Sequence, residues 1–226
     1  MIFASDLDDT LFREIDYVHS AYRAIGRELE SDGIMTAKEA VEALEMAETT
    51  ARGFDNLAAL IWQNHPGSRY DVKWMLNIYR THKPDIHLLP GARKLLDTLR
   101  NEGVEIALIT DGRSNTQRAK IEVLGLMEYV KSDNIIISEE VGGDKTTEIP
   151  FTTLMGRNPS QSSFLYLGDN PAKDFRWPNA LGWTTVELFS PGWVHVNPQD
   201  VAVPEEYRAQ YVVTSLPEAA SFAMPG

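Results

Sequence analysis

The chain has 226 residues, 43% of them hydrophobic and 24% charged, which is the balance of a globular protein with one sizeable core or a core and a smaller companion. Its 33 acidic and 21 basic side chains leave a net charge of −12 with the bases scattered, which argues against nucleic acid or an anionic membrane as partners. No apolar run is long enough to span a membrane, no basic stretch leads into an apolar one as in a secretory signal, and there is no cysteine for a disulfide, so a cytoplasmic protein is expected.

The first predicted element is a short buried strand, Met1-Ile2-Phe3-Ala4, that runs directly into carboxylates at Asp6, Asp8 and Asp9. On a strand, alternate positions face the same way, so Asp6 and Asp8 should point to one side and Leu7 to the other. Carboxylates packed together raise one another's pKa unless a cation or a shared proton compensates, so a metal site is the first expectation. Two neighbouring carboxyls can also divide labour, one attacking while the other donates and takes back a proton. The plainer alternative is a strand followed by a solvated acidic turn.

From Phe12 to about Ser31, Thr36 to Thr50, Asn56 to Asn64 and Tyr70 to Thr81 the apolar spacing is helical, interrupted by turns at Asp32-Gly33, Gly53 and His65-Pro66-Gly67-Ser68. A helical insert over residues 12–88 is expected, with residues 1–11 and 89–226 forming the core. Leu89-Pro90-Gly91 opens a helix to about Asn101, and Val104 to Ile109 reads as a buried strand. There follow a helix from Ser114 to Leu124, a strand from Asn134 to Ile137, a helix from Ile149 to Met155 and a strand from Phe164 to Leu167. A helix from Ala172 to Ala180, a strand from Thr184 to Leu188, an irregular stretch from Ser190 to Arg208, an edge strand at Tyr211 to Val213 and a helix from Leu216 to Phe222 complete the chain. Strands alternating with helices predict an α/β fold with a doubly wound parallel sheet, whose reactive groups belong at the carboxyl ends of the strands.

Four polar clusters sit at those ends: Asp6 to Thr10; Thr110-Asp111-Gly112; Lys145 after Gly142-Gly143; and Gly168-Asp169-Asn170 with Asp174 beyond it. The hydroxyl of Thr110 and the backbone after it could donate hydrogen bonds to an oxyanion. Each cluster also reads as ordinary structure: a turn at Thr110-Asp111-Gly112, a solvated side chain at Lys145, and a turn with a helix cap at Gly168-Asp169-Asn170-Pro171. Their order and their placement after strands favour a site.

In these four motifs the chain resembles the haloacid dehalogenase-like (HAD) hydrolase superfamily. Asp6 to Thr10 matches D-x-D-x-[TV], Thr110 the strand-terminal Ser or Thr, Lys145 the lysine before a helix, and Gly168, Asp169 and Asp174 the G-D-x(3,4)-D motif. The helical insert is similar to the family's small type-1 cap, and the resemblance covers nearly the whole chain. Thr146 stands where Pro usually follows the lysine, and Asp9 replaces a frequent Gly.

The resemblance implies a magnesium-dependent phosphatase acting on a small phosphorylated metabolite. Asp6 would be the nucleophile, forming an aspartyl-phosphate, and Asp8 the acid and base. Mg²⁺ would be held by Asp6, the backbone carbonyl of Asp8 and Asp169. Thr110, Asp111 and Lys145 would bind the phosphoryl group, and Asp174 would position Lys145 or a metal-bound water. Arg13 and Arg113, just past the first and second motifs, are candidate substrate contacts, and a cap would exclude water and select the leaving group. The dehalogenases that give the superfamily its name lack an acid at the position of Asp8, which sets dehalogenation aside. A phosphomutase or phosphotransferase of the same superfamily is the alternative. A receiver-type signalling module fits less well, because here the acidic pair lies on the first strand and a large insert interrupts the fold.

Overall fold

A computed structural model describes residues 1–47, 49–189 and 203–224. The chain forms two compact units, Met1–Glu14 with His87–Gly226, and Ile15–Ile86.

The first unit is built on a six-stranded sheet: β1 (Ile2–Ser5), β2 (Glu105–Thr110), β3 (Val130–Ile137), β4 (Phe164–Gly168), β5 (Thr184–Leu188) and β6 (Tyr211–Val213). The spatial order is β3-β2-β1-β4-β5-β6 and every pairing is parallel. The chain therefore adds strands on one side of β1 and then reverses to the other, which is the predicted doubly wound arrangement. Strands covered on both faces are expected to be largely apolar, and all four residues of β1 and all five of β4 are buried. One face, carrying Ile2, Ala4, Ala107, Ile109, Ile136 and Tyr166, packs against Phe151 and Leu154 with Phe175 and Trp183.

Some predicted boundaries in this unit differ. The third strand begins at Val130, not Asn134, because Lys131, Ser132 and Asp133 face solvent on an edge strand whose register shifts against β2, so the apolar signature starts late. Residues 216–222, read as one helix, form a short α-turn, Leu216–Ala219, continued by a 3₁₀ turn, Ala220–Ala223. Of the irregular stretch at 190–208, residues 190–202 lie outside the described residues, and Glu205–Tyr207 is a 3₁₀ turn.

Among the described residues the second unit holds four helices, α1 (Glu14–Ser31, which begins in the first unit), α2 (Ala37–Glu45), α3 (Thr50–Asn64) and α4 (Val72–Thr81). Their shared core includes Tyr22, Ile25, Leu29, Leu44, Phe54, Leu57, Ile61 and Met75. The single predicted helix from Thr36 to Thr50 instead stops at Glu45, and α3 starts six residues before Asn56. Capping sets the starts: Thr49 accepts from Arg52 N to begin α3, and Thr36 forms a reciprocal box with Glu39 to begin α2.

His82 closes this unit. Its Nδ1 lies 3.0 Å from the Tyr79 carbonyl, which can only accept, so Nδ1 carries the proton and Nε2, 3.2 Å from Ser20 Oγ, accepts. Ser20 Oγ in turn accepts from Asp85 N at 2.8 Å. Burial, with the charges of Arg27 and Arg23, holds the His82 pKa below its ordinary 6.5. The folded unit thus favours the neutral ring, and stability present above pH 6.5 is lost as the pH falls below it, where the unfolded chain takes up the proton. Thermal unfolding between neutral and mildly acidic pH should show a steeper loss in the wild type than in His82→Gln; parallel curves would contradict this assignment.

Candidate active site at the carboxyl ends of the strands

The strand order reverses at β1, and the carboxyl edge between β1 and β4 is where a doubly wound sheet places its ligands. Asp6 follows β1 there, its backbone N–H donating to Leu167 O of β4 at 2.8 Å. Its carboxylate is buried, with Oδ2 2.7 Å from Lys145 Nζ, and the same Nζ lies 2.7 Å from Asp174 Oδ1. Burial works against the charge on Lys145, but Asp174 and Asp6 more than offset it and hold the pKa well above its ordinary value. The lysine is placed by its own backbone, whose N–H donates to Asp111 Oδ1 at 3.1 Å.

Asp174 is seated by the turn that precedes it. Its Oδ2 accepts from Asn170 N at 2.9 Å, while Asn170 Oδ1 accepts from Ala172 N. These bonds make residues 170–174 a turn, so the helix predicted from Ala172 starts only at Arg176 (α9, Arg176–Ala180, after α5 at Ala92–Asn101, α6 at Ser114–Val123, α7 at Ser138–Val141 and α8 at Ile149–Arg157). Gly168 is required here for space, since a Cβ would lie 2.5 Å from Asp174 Oδ2.

Carboxylate oxygens of Asp6, Asp169 and Asp174 all lie within 4.8 Å of one another. Burial raises Asp6 to about 7 against the attraction of Lys145, and raises Asp169 to about 8, with Asp174 and Asp6 adding repulsion. Thr10 Oγ1 donates to Asp169 Oδ1 at 3.2 Å. Three acids around one lysine leave an excess of negative charge in an oxygen-only donor set, which suits a hard divalent cation such as Mg²⁺. Asp174, expected from the sequence only to position Lys145 or a metal-bound water, enters this triangle.

Asp8 is held elsewhere. Its Oδ1 is 2.6 Å from Lys120 Nζ and its Oδ2 accepts from Gln117 Nε2 at 2.6 Å, both from α6. Gln117 Nε2 also lies 2.5 Å from Thr110 Oγ1, tying the first and second motifs together through one amide. Lys173 Nζ is 3.6 Å from Asp111 Oδ2, a second cation beside Lys145. Sequence reasoning missed Gln117, Lys120 and Lys173. A signal was available for the first two: α6 has few apolar residues, so a helix covering the sheet must turn some polar ones inward.

Arg13 and Arg113 take no part in the ion pairs of this cluster among the described residues. Arg13 is exposed, and Arg113 is turned to Glu139, with 3.7 Å between Nη1 and Oε1. Asp9 adopts φ 55, where Asp is tolerated better than most side chains, and its Oδ1 accepts from Glu14 N at 2.7 Å to cap α1. That accounts for an Asp where the resemblance leads one to expect Gly.

Residues 1–187 match the family described as haloacid dehalogenase-like hydrolase. The chain is 38% identical over 108 residues to the ribulose-1,5-bisphosphate 5-phosphatase of Halopiger xanaduensis, covering 47% of this chain and 44% of that relative, less than half of its length. It is 27% identical over 224 residues to the glyceraldehyde 3-phosphate phosphatase of Methanocaldococcus jannaschii, covering 94% and 92% of the two chains. Among solved structures, the HAD-hydrolase YfnB of Bacillus subtilis, bound to magnesium, superposes with a TM-score of 0.65 at 20% identity, covering 98% and 97%. No helix among the described residues is long and apolar enough to cross a membrane.

Proposed function

Because the chain belongs to the haloacid dehalogenase-like hydrolase family, we propose that it is a phosphatase hydrolysing a small-molecule phosphate monoester through an aspartyl-phosphate. The observation that carries this reading is the buried Lys145 amine set 2.7 Å from both Asp6 and Asp174, with Asp169 completing the carboxylate triangle. The phosphatase names of the two relatives support it and point to phosphorylated sugars as the first substrates to try.

In this mechanism a carboxylate oxygen of Asp6 forms a bond to phosphorus as the ester P–O bond breaks, and Asp8 gives its proton to the departing alkoxide. Asp8 then takes a proton from water, which attacks phosphorus, breaks the bond to Asp6 and releases orthophosphate. Thr110 through its hydroxyl, Asp111 through its N–H and Lys145 through its amine hold the phosphoryl oxygens. Asp174 keeps Lys145 in place. Asp6, Asp169 and the backbone carbonyl of Asp8 would hold Mg²⁺, which when bound supplies positive charge to balance nucleophile and phosphoryl group.

A panel of phosphate esters, sugar phosphates and nucleotides included, tests the proposal with and without Mg²⁺. Orthophosphate should be released from at least one ester with Mg²⁺ and release should stop with a chelator. Silence across the panel, or turnover indifferent to chelation, would overturn it.

A further inference from the structure

We infer that Gln117 and Lys120 of α6 are positioning residues that clamp the Asp8 carboxylate and aim the Thr110 hydroxyl, so that proton delivery to the leaving group depends on this helix; the inference rests on the phosphatase reading. The two are three residues apart on one helical face, and both are buried, at 1% and 4% exposure. Burying a lysine and a primary amide costs free energy unless every polar group is satisfied, and a buried ion pair adds little net stability. Stability alone therefore gives no reason to keep them there, whereas orientation does.

The geometry is restrictive. The arrangement shown is that of the ionised Asp8 that takes the proton from water: both carboxylate oxygens accept, so it is the nitrogen of the Gln117 amide that faces Asp8. That nitrogen has two hydrogens, and its two contacts, Asp8 Oδ2 at 2.6 Å and Thr110 Oγ1 at 2.5 Å, use both. Thr110 Oγ1 thus accepts from Gln117 and must direct its own hydrogen elsewhere, which is what binding a phosphoryl oxygen requires. Asp8 meanwhile has one oxygen on each clamp residue, which leaves it little freedom to rotate. Lys120 Nζ also lies 5.5 Å from the centre of the Phe12 ring. Gly112 leaves the room for this arrangement, since a Cβ there would lie 3.3 Å from Gln117 Cγ and Cδ.

Acid catalysis matters most when the leaving group is a poor one, which separates positioning from a general structural defect. In a double displacement, kcat/KM reports only the first half, in which the alcohol departs. Lys120→Met should lower kcat/KM on an alkyl phosphate about a hundredfold, and on nitrophenyl phosphate about tenfold less than that, while Lys120→Arg recovers most of the loss. In an Asp8→Asn background, Lys120→Met should add little, because the group it positions no longer transfers a proton. Gln117→Met, which keeps the Lys120 pair, carries the same comparison if Lys120→Met does not fold, with circular dichroism and thermal midpoints as the check. Equal losses across both esters in folded variants, or additive losses with Asp8→Asn, would overturn the inference while leaving the phosphatase reading intact. Failure of the wild type on every ester would instead sink that reading.

Discussion

Replacing Asp6 with Asn is expected to bring phosphate-ester turnover down to background, a loss of at least about ten-thousandfold, in a protein that remains folded. An amide oxygen cannot form the covalent phosphoryl bond, and no neighbour can substitute. Asp169 is hydrogen-bonded by Thr10, Asp174 is ion-paired to Lys145, and Asp8 is held on α6. Folding should survive because Lys145 keeps Asp174 at 2.7 Å, and because Asn removes a charge that burial disfavours at Asp6. The measurement is residual kcat with the best ester found, alongside intact mass of the wild type quenched during turnover, which should show one added phosphoryl group that the variant lacks. Turnover by Asp6→Asn above a trace, with no phosphorylated wild type, would rule out the covalent route.

Asp174→Ala should have the largest effect on stability, about 3–5 kcal/mol, the usual cost of breaking a buried charge pair from one side. The side chain is fully buried and does three things together: it faces Lys145 Nζ, accepts the Asn170 N–H, and fills the space left by Gly168. Alanine would leave the lysine with Asp6 alone, orphan a backbone donor and open a small cavity. Asp174→Asn keeps the volume and an acceptor but loses the charge, and should fall between alanine and wild type. Denaturant unfolding monitored by tryptophan fluorescence measures both. An alanine variant within about 1 kcal/mol of wild type would show that Asp174 does not hold the lysine.

The sheet was legible because β1, β2 and β4 are largely apolar runs, and the acids of the motifs stand where those runs end. The beginning of β3 was not, since its exposed Lys131, Ser132 and Asp133 carry the pattern of a loop and lie where the strand's register against β2 shifts. The helix predicted from Ala172 failed for a related reason: Asn170 and Asp174 spend their side chains on backbone N–H groups, a choice that no periodicity reveals.

The candidate site divides the same way. Local spacing determined that Asp6, Thr110, Lys145 and Asp169 would each lie at or beyond the carboxyl end of a strand of one parallel sheet, because side-chain period acts over a few residues at a time. Only the tertiary structure decided that Asp8 would be gripped by Gln117 and Lys120, that Asp174 would share Lys145 with Asp6, and that Arg113 would turn to Glu139. Those pairings join residues distant in sequence, and they form where burial makes an uncompensated charge too costly to leave alone, a condition set by the packed fold rather than by any one segment.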